Sequence, residues 1–442
     1  MSIEPALRRS LTLLDLTMIA VGSTIGSGIF LTPAIVAQAV PSPMWILGLW
    51  ILGGITALSG ALTFAELGGM MPRAGGVYVF LTEAYGGLAG FLYGWAYFLV
   101  VNTGGIAALA IAFATYLNVL IPLGSNGVMI AAVAGIALVT LVNVLGVKAG
   151  GVFSDIFTAL KLLGILFILA VGFGWGSFST TDFAQPLITS SGGIAGALTI
   201  AMVGILWSYG GWQHATFTAA EALRPERDVP RALIIGAGIV VVAYLLINVA
   251  YFLLLSPAKI ASSPHVASDA VSSVLGPAGS TLIALVIFLS TFGTAGIYTL
   301  TAPRIYFAMA NDGVFFRQVT RVHPRYQTPY VAILLQSGWA IALVFLWGTF
   351  ERLISYVVFT DWIFFAMTAA SVFVFRRKLP TAERPYRTTG YPVTPAIFLS
   401  IALLFVLNTL LERPAESGAG LLFLALGVPV YYFGKKGGTT AS

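Results

Sequence analysis

The residues best placed to do chemistry in this chain are glycines and hydroxyls set in apolar sequence. One run is Gly22-Ser23-Thr24-Ile25-Gly26-Ser27-Gly28, and a second is Ser208-Tyr209-Gly210-Gly211-Trp212. Three glycines within seven residues disfavour a continuous helix. A helix broken here leaves unpaired C=O groups at the end of its first half and unpaired N–H groups at the start of its second. The N–H end, near Ser27 and Gly28, attracts an anion. The carbonyl ends, near Thr24, Ile25 and Trp207, attract a cation. A free amino acid carries both charges on one carbon, so backbone alone can hold its head group. Neither run contains a charged residue. For either run alone the plainer alternative is a glycine packing contact in an unbroken membrane helix.

Lys161 is the most informative charge. It lies about 12 Å deep in an apolar segment, at 1.5 Å per residue. Positions three and four away are Phe157, Thr158, Gly164 and Ile165, so any partner belongs to another helix. It is either a functional cation or a structural Lys in a polar packing contact, and a proton-coupling role is open. Asp361 is an intramembrane acid, suspect by default; pairing with a neighbouring helix is the expectation. Asn102, Thr103, Phe292 and Gly293 are candidates to line a side-chain pocket, or simply to bond and pack between helices. Glu66, Arg73, Glu221 and Arg304 sit at helix ends, as an inner gate or as solvated charges. His214 is expected to be a packed neutral imidazole. There is no metal cluster, nucleotide loop or catalytic triad, so neither enzyme chemistry nor a cofactor is expected.

The elements that position these residues follow from composition. The chain has 442 residues, 58% hydrophobic and only 9% charged. Soluble domains carry about 25% charge, so a water-facing enzyme, a disordered chain and a nucleic-acid binder are excluded. The net charge of +6 is better read as positive charge on one side of a membrane protein. Cys is absent, which removes disulfides and thiolate metal sites. The N-terminus lacks a signal-peptide layout.

Charge-free stretches such as 16–65 and 84–147 are long enough for two spans each, at about 20 residues per span. Twelve spans are expected, near 12–40, 43–70, 86–120, 127–146, 153–175, 192–222, 231–255, 278–311, 329–348, 353–376, 392–412 and 417–434. The apolar runs are continuous rather than alternating, which argues for helices over a barrel. With the N-terminus in the cytoplasm, 18 of the 22 Lys and Arg fall on the cytoplasmic side. Lys259, Arg352 and Arg413 fall outside, and Lys161 lies within the membrane. This asymmetry places both termini in the cytoplasm. The two glycine runs then fall in spans one and six, five helices apart. An odd spacing makes the second five-helix unit enter upside down, and paired interruptions in inverted halves mark a midplane site.

These residues resemble the amino acid–polyamine–organocation transporter superfamily. Ile25-Gly26-Ser27-Gly28-Ile29-Phe30 looks like its helix 1 motif. Trp207-Ser208-Tyr209-Gly210-Gly211-Trp212 with Glu221 and Asp228-Val229-Pro230-Arg231 is similar to the L-type amino acid transporter branch. So are Ala65-Glu66-Leu67-Gly68 with Pro72, Gly75, Gly76 and Tyr78, and the segment Ala302 to Gly313. The ordered set covers essentially the whole chain.

The resemblance implies an all-α membrane protein, one domain over 1–442. Residues 12–175 and 192–376 would be two inverted repeats of five helices, and 392–434 two extra C-terminal helices. The substrate carboxylate would meet amides near Ser27 and Gly28, with Gly26 a further substrate-binding candidate in the same run. The ammonium would meet carbonyls near Thr24, Trp207 and Gly210. Trp207 would be an aromatic gate, with Ser208 and Tyr209 beside it, though it could also be core. Lys161 would stand where sodium-coupled relatives hold sodium. The expected function is sodium-independent exchange of neutral L-amino acids across the cell membrane. Gln213, where arginine exchangers carry an acid, argues against cationic substrates. Proton symport and cationic amino acid or polyamine exchange are the alternatives. Animal L-type proteins join an accessory subunit through a disulfide, which this chain cannot form. Its expected partners are amino acid substrates and membrane lipids.

Overall fold

The computed structural model describes residues 7–177, 193–347 and 350–438. Residue 192, the expected start of the second repeat, and the side chains of Arg352, Lys435 and Lys436 lie outside the described residues. Among these residues the chain is helical, with no strand and one isolated parallel bridge between Leu11 and Ala222.

The first half contains α1 (Leu13–Thr24), α2 (Gly28–Ala39), α3 (Pro43–Met70), α4 (Val77–Tyr85) and α5 (Gly87–Ala96). A π turn over Tyr97–Val101 leads into α6 (Asn102–Leu120), then α7 (Gly124–Val144) and α8 (Val147–Trp175). The second half begins with α9 (Gly193–Tyr209), α10 (His214–Phe217), α11 (Pro225–Leu254) and α12 (Pro257–Ser262). It continues with α13 (Val266–Thr301), α14 (Pro303–Asn311), α15 (Tyr330–Trp347) and α16 (Phe350–Lys378). α17 (Val393–Glu412) and α18 (Pro414–Gly438) close the chain.

Among the described residues, nine helical stretches are long and apolar enough to cross a membrane. Gly193–Tyr209, Tyr330–Leu346 and Ser417–Phe433 are shorter apolar helices. Leu, Ile and Phe face outward along these elements, among them Ile130, Leu166, Leu404 and Leu411. An outer surface of this kind suits lipid and not water.

Several boundaries depart from those expected. α8 begins at Val147 and α11 at Pro225, about six residues earlier than the apolar runs suggest. Charged residues are tolerated on the first turns because those turns reach past the apolar layer, and Pro225 at the first position needs no N–H partner. α13 bends at Gly276, whose φ of 63° an L-residue rarely adopts, with Pro277 next. The expected span 192–222 is not two matched half-helices. After the break it holds only the one-turn α10 and a 3₁₀ turn, Ala219–Glu221. Thr216 and Thr218 donate to the Gln213 and Ala215 carbonyls, local bonds that compete with helix propagation.

α1 packs on α8, α11 and α13, and α2 packs on α9. α3 lies against α11, α6 against α13, and α7 against α15. α17 and α18 sit outside, on α3, α5 and α16.

Candidate functional site

The first interruption spans Ile25, Gly26 and Ser27, between α1 and α2. The chain turns there because Ile25 N–H still bonds Val21, whereas Gly26 N–H bonds Thr24 at 2.9 Å. Ser27 caps α2 without a side-chain bond, and among the described residues its buried hydroxyl has no partner. The first N–H groups of α2 have no intrahelical acceptor, so this turn is the electropositive end of the site.

The second interruption is Gly210-Gly211, after α9. Gly211 holds φ at 124°, and its N–H donates to Gln213 Oε1 at 2.9 Å. Gln213 therefore braces the break from within its own turn.

The two breaks touch. Ser23 Oγ donates to the Gly211 carbonyl at 2.8 Å. A Cβ on Gly211 would lie 2.4 Å from the Ser23 carbonyl oxygen, so the close approach requires glycine. A Cβ on Gly28 would lie 2.7 Å from Ser208 Cα. Ser208 Oγ sits 2.9 Å from Thr32 Oγ1, tying α9 to α2.

Lys161 closes the back of the first break. It is fully buried on α8 and donates to the Gly22 carbonyl at 2.8 Å, the Ile25 carbonyl at 2.7 Å and Thr294 Oγ1 at 2.7 Å. An ammonium has three donors, and here each has an acceptor. Thr294 Oγ1 is itself within 3.0 Å of the Gly22, Ile25 and Ser290 carbonyls, and Ser290 Oγ lies 3.2 Å from the Gly26 carbonyl. Hydroxyls and carbonyls from α1 and α13 thus form an oxygen-rich cage around one fixed cation. Tyr244 and Tyr251 of α11 also brace the break, donating to the Thr24 and Ile29 carbonyls at 3.1 and 3.3 Å. Their spacing of seven puts both on one helical face; that repeat was the available signal for them.

A small central cavity lies beside the second break, lined by Trp207, Gly210, Gly211, Gln213, Tyr298 and Asp361 among others. Its volume is about 20 Å³, room for roughly one water molecule. An amino acid does not fit in this volume.

The structure does not bring every candidate here. Phe292 packs with Phe113, Phe153 and Phe157 and is not in the cavity lining. Asn102 donates to Gln336 Oε1 at 3.1 Å, and Thr103 bonds the Phe98 carbonyl inside the π turn. Gly293 is filled by the Phe157 side chain. Tyr209 packs on Trp50 and Tyr244 and donates to the Trp50 carbonyl at 3.1 Å. These three spans are apolar all round, so sequence does not reveal which face meets the cavity. Asp361 differs in the other direction. It lines the cavity, and among the described residues its buried Oδ1 has no hydrogen-bond partner, in place of the expected pairing.

The helix-end charges sort differently from a single gate. Glu221 and Arg304 are both fully buried and form two parallel bonds of 2.8 Å. Arg304 also bonds the Leu300 carbonyl. The Glu221 carbonyl accepts from Ser10 and Leu11 N–H at 2.8 and 2.9 Å, which pins the N-terminal segment to the exit of α10. Glu66 instead pairs with Arg376 and Arg384, at 2.7 and 3.2 Å. Arg73 pairs with Glu83 on an exposed surface. His214 is packed as expected, bonded on both ring nitrogens to Thr301 and Tyr97 and stacked on Tyr298.

Comparison with known proteins agrees with this helical arrangement. The chain is 30% identical to the serine/threonine exchanger SteT of Bacillus subtilis (strain 168), over 98% of each chain. It is 30% identical to the b(0,+)-type amino acid transporter 1 of Mus musculus, covering 97% of this chain and 88% of that one. It is 32% identical to the Asc-type amino acid transporter 1 of Mus musculus, covering 97% and 82%. The family profile described as amino acid permease matches residues 11–430. With apolar helices throughout and that match across nearly its whole length, this multi-pass membrane protein belongs to the amino acid permease family.

Proposed function

We propose that this permease is a sodium-independent exchanger of neutral L-amino acids, working by alternating access in the cell membrane. The observation that carries the reading is Lys161, whose ammonium satisfies the carbonyls of Gly22 and Ile25 at the first break. A cation that is part of the chain removes the need for a movable one at that bend. Without a coupling ion, return of the empty carrier has no driving force of its own, which favours exchange.

Twelve spans in two inverted five-helix repeats, with two added helices and both termini cytoplasmic, fit this reading. It is supported by the contacts of α3 with α11, α6 with α13 and α7 with α15, which pair corresponding members of the two halves. The substrate carboxylate would take the N–H groups of Ser27 and Gly28. The Ile25 carbonyl already accepts from Lys161 and the Thr24 carbonyl from Tyr244 and Gly26, so the ammonium would meet the carbonyls of Gly210 and of Trp207, the latter shared with Gly210 N–H. Trp207 would swing to admit substrate, since the cavity of about 20 Å³ must open. The transporter would work without a disulfide-linked subunit.

Asp361 favours a narrower second reading. An unpartnered carboxylate oxygen at the cavity suits a side chain that donates a hydrogen bond, as serine and threonine do, or a cationic one. Uptake of serine, leucine and arginine by wild type and Asp361→Leu, in proteoliposomes preloaded with each amino acid and free of sodium, tests both readings. Transport of serine and leucine supports the neutral assignment; transport of arginine alone contradicts it and selects the cationic one.

A further inference from the structure

A second cavity, of about 450 Å³, lies at the end of the bundle that carries most of the Lys and Arg. Three separate segments wall it. The N-terminal segment contributes Arg8 and Arg9, the start of α8 contributes Lys148, and the loop before α15 contributes Arg325. Among the described residues no acidic one lines it. Among the described residues none of these four cations forms an ion pair.

Each wall is held in place. The N-terminal segment is fixed by the bonds of Ser10 and Leu11 to the Glu221 carbonyl. The loop is fixed by Thr328 Oγ1, which donates to the Val144 carbonyl at 2.9 Å, and by Gln327 N–H to the His323 carbonyl at 2.8 Å. Gln327 holds φ at 54°, a left-handed conformation that a residue with a Cβ adopts at a cost. The α8 wall is the uncapped first turn of a 29-residue helix, entered through Gly146 at φ 140°. Four like charges line this positive helix end, which disfavours the empty site and favours an anion.

Position identifies the anion. α7 ends at Val144 and α8 begins at Val147, so the cavity opens where two apolar helices reach their common end. Leu141, Leu145, Val152 and Ile156 are exposed on the outer surface beside it. Charged groups at the cavity with apolar surface running away from it match a phosphodiester head group and its acyl chains.

We propose that this cavity binds the phosphate of an anionic phospholipid. Because Arg8 and Arg9 belong to the segment bonded to Glu221, lipid binding also holds the N-terminal segment against the exit of α10. The lipid is therefore a stabiliser of that contact.

The test is native mass spectrometry of the full-length protein with equal amounts of phosphatidylglycerol and phosphatidylcholine, alongside thermal melting in detergent with each lipid. Wild type should retain phosphatidylglycerol about tenfold over phosphatidylcholine and melt higher with it. Lys148→Ala with Arg325→Ala, and separately Arg8→Ala with Arg9→Ala, should lose that preference. Lys259→Ala, on α12, and the charge-preserving pair Lys148→Arg with Arg325→Lys should keep it. Equal retention of the two lipids by wild type, or an undiminished preference in both Ala variants, overturns the proposal. Loss in the charge-preserving pair overturns it too, since charge would not be the cause. Inorganic phosphate that matches the stabilisation with no lipid retained would make this a free-anion site and not a lipid site.

Discussion

Ser23 Oγ, in the first break, donates to the carbonyl of Gly211, in the second, at 2.8 Å. The two interruptions are one unit, and neither half-helix can tilt without breaking that bond or carrying the other with it. Glycine at 211 and at 28 is what lets the chains approach.

Gly211→Ala places a Cβ against backbone and at a φ of 124°, so strain and clash act together. Gly28→Ala meets Ser208 Cα, which cannot rotate away. Both variants should lose more than about nine-tenths of uptake, with a cost in stability of roughly 1–3 kcal/mol. Gly48→Ala and Gly338→Ala, with open space at the Cβ position, should behave as wild type. Radiolabelled uptake and detergent melting of the four proteins check this.

Lys161→Met removes a charge and leaves the Gly22 and Ile25 carbonyls without their strongest donor. Each charged hydrogen bond is worth about 1.5–3 kcal/mol. The variant should melt well below wild type and transport poorly. Lys161→Arg should not rescue it, because a planar guanidinium cannot fill a cage sized for an ammonium. Thr294→Val should give a milder loss in the same assays, since one of the three acceptors goes.

Glu221 and Arg304 are fully buried, whereas Arg73 and Glu83 are half exposed. Glu221→Gln leaves Arg304 uncompensated and should cost about 3–5 kcal/mol. Arg73→Ala should cost about 0–1 kcal/mol, as exposed pairs do. Melting curves should separate the two variants clearly; similar losses would show that burial at Glu221 is not what matters.

Asp361→Leu keeps roughly the side-chain volume and removes both acceptor oxygens at the central cavity. Serine uptake should fall while leucine uptake is largely kept, since only the former has a side-chain hydroxyl for Oδ1. Competition by each amino acid against labelled alanine reads this directly.

The breaks, Lys161 and the helix-end charges were all legible in the sequence, because glycine clusters and charges are rare in apolar runs and each has a physical cost there. What those groups touch was not. Glu66 meets Arg376 across 310 positions, and no local pattern announces it. Asn102 and Phe292 looked like pocket residues yet face Gln336 and a phenylalanine cluster. Spans apolar on every side carry no phase from which to read the inward face. Asp361 stood out as an acid, but the rule that buried acids pair led away from the cavity it lines. The π turn at Tyr97–Val101 has no glycine or proline inside it to reveal it.

The most direct measurement is uptake of labelled serine into proteoliposomes, without sodium, comparing empty vesicles with vesicles preloaded with unlabelled serine. Uptake that requires internal serine and ignores an imposed pH gradient is the predicted result. Uptake into empty vesicles driven by sodium or by inward protons would contradict exchange and the reading of Lys161 as a fixed substitute for a coupling ion.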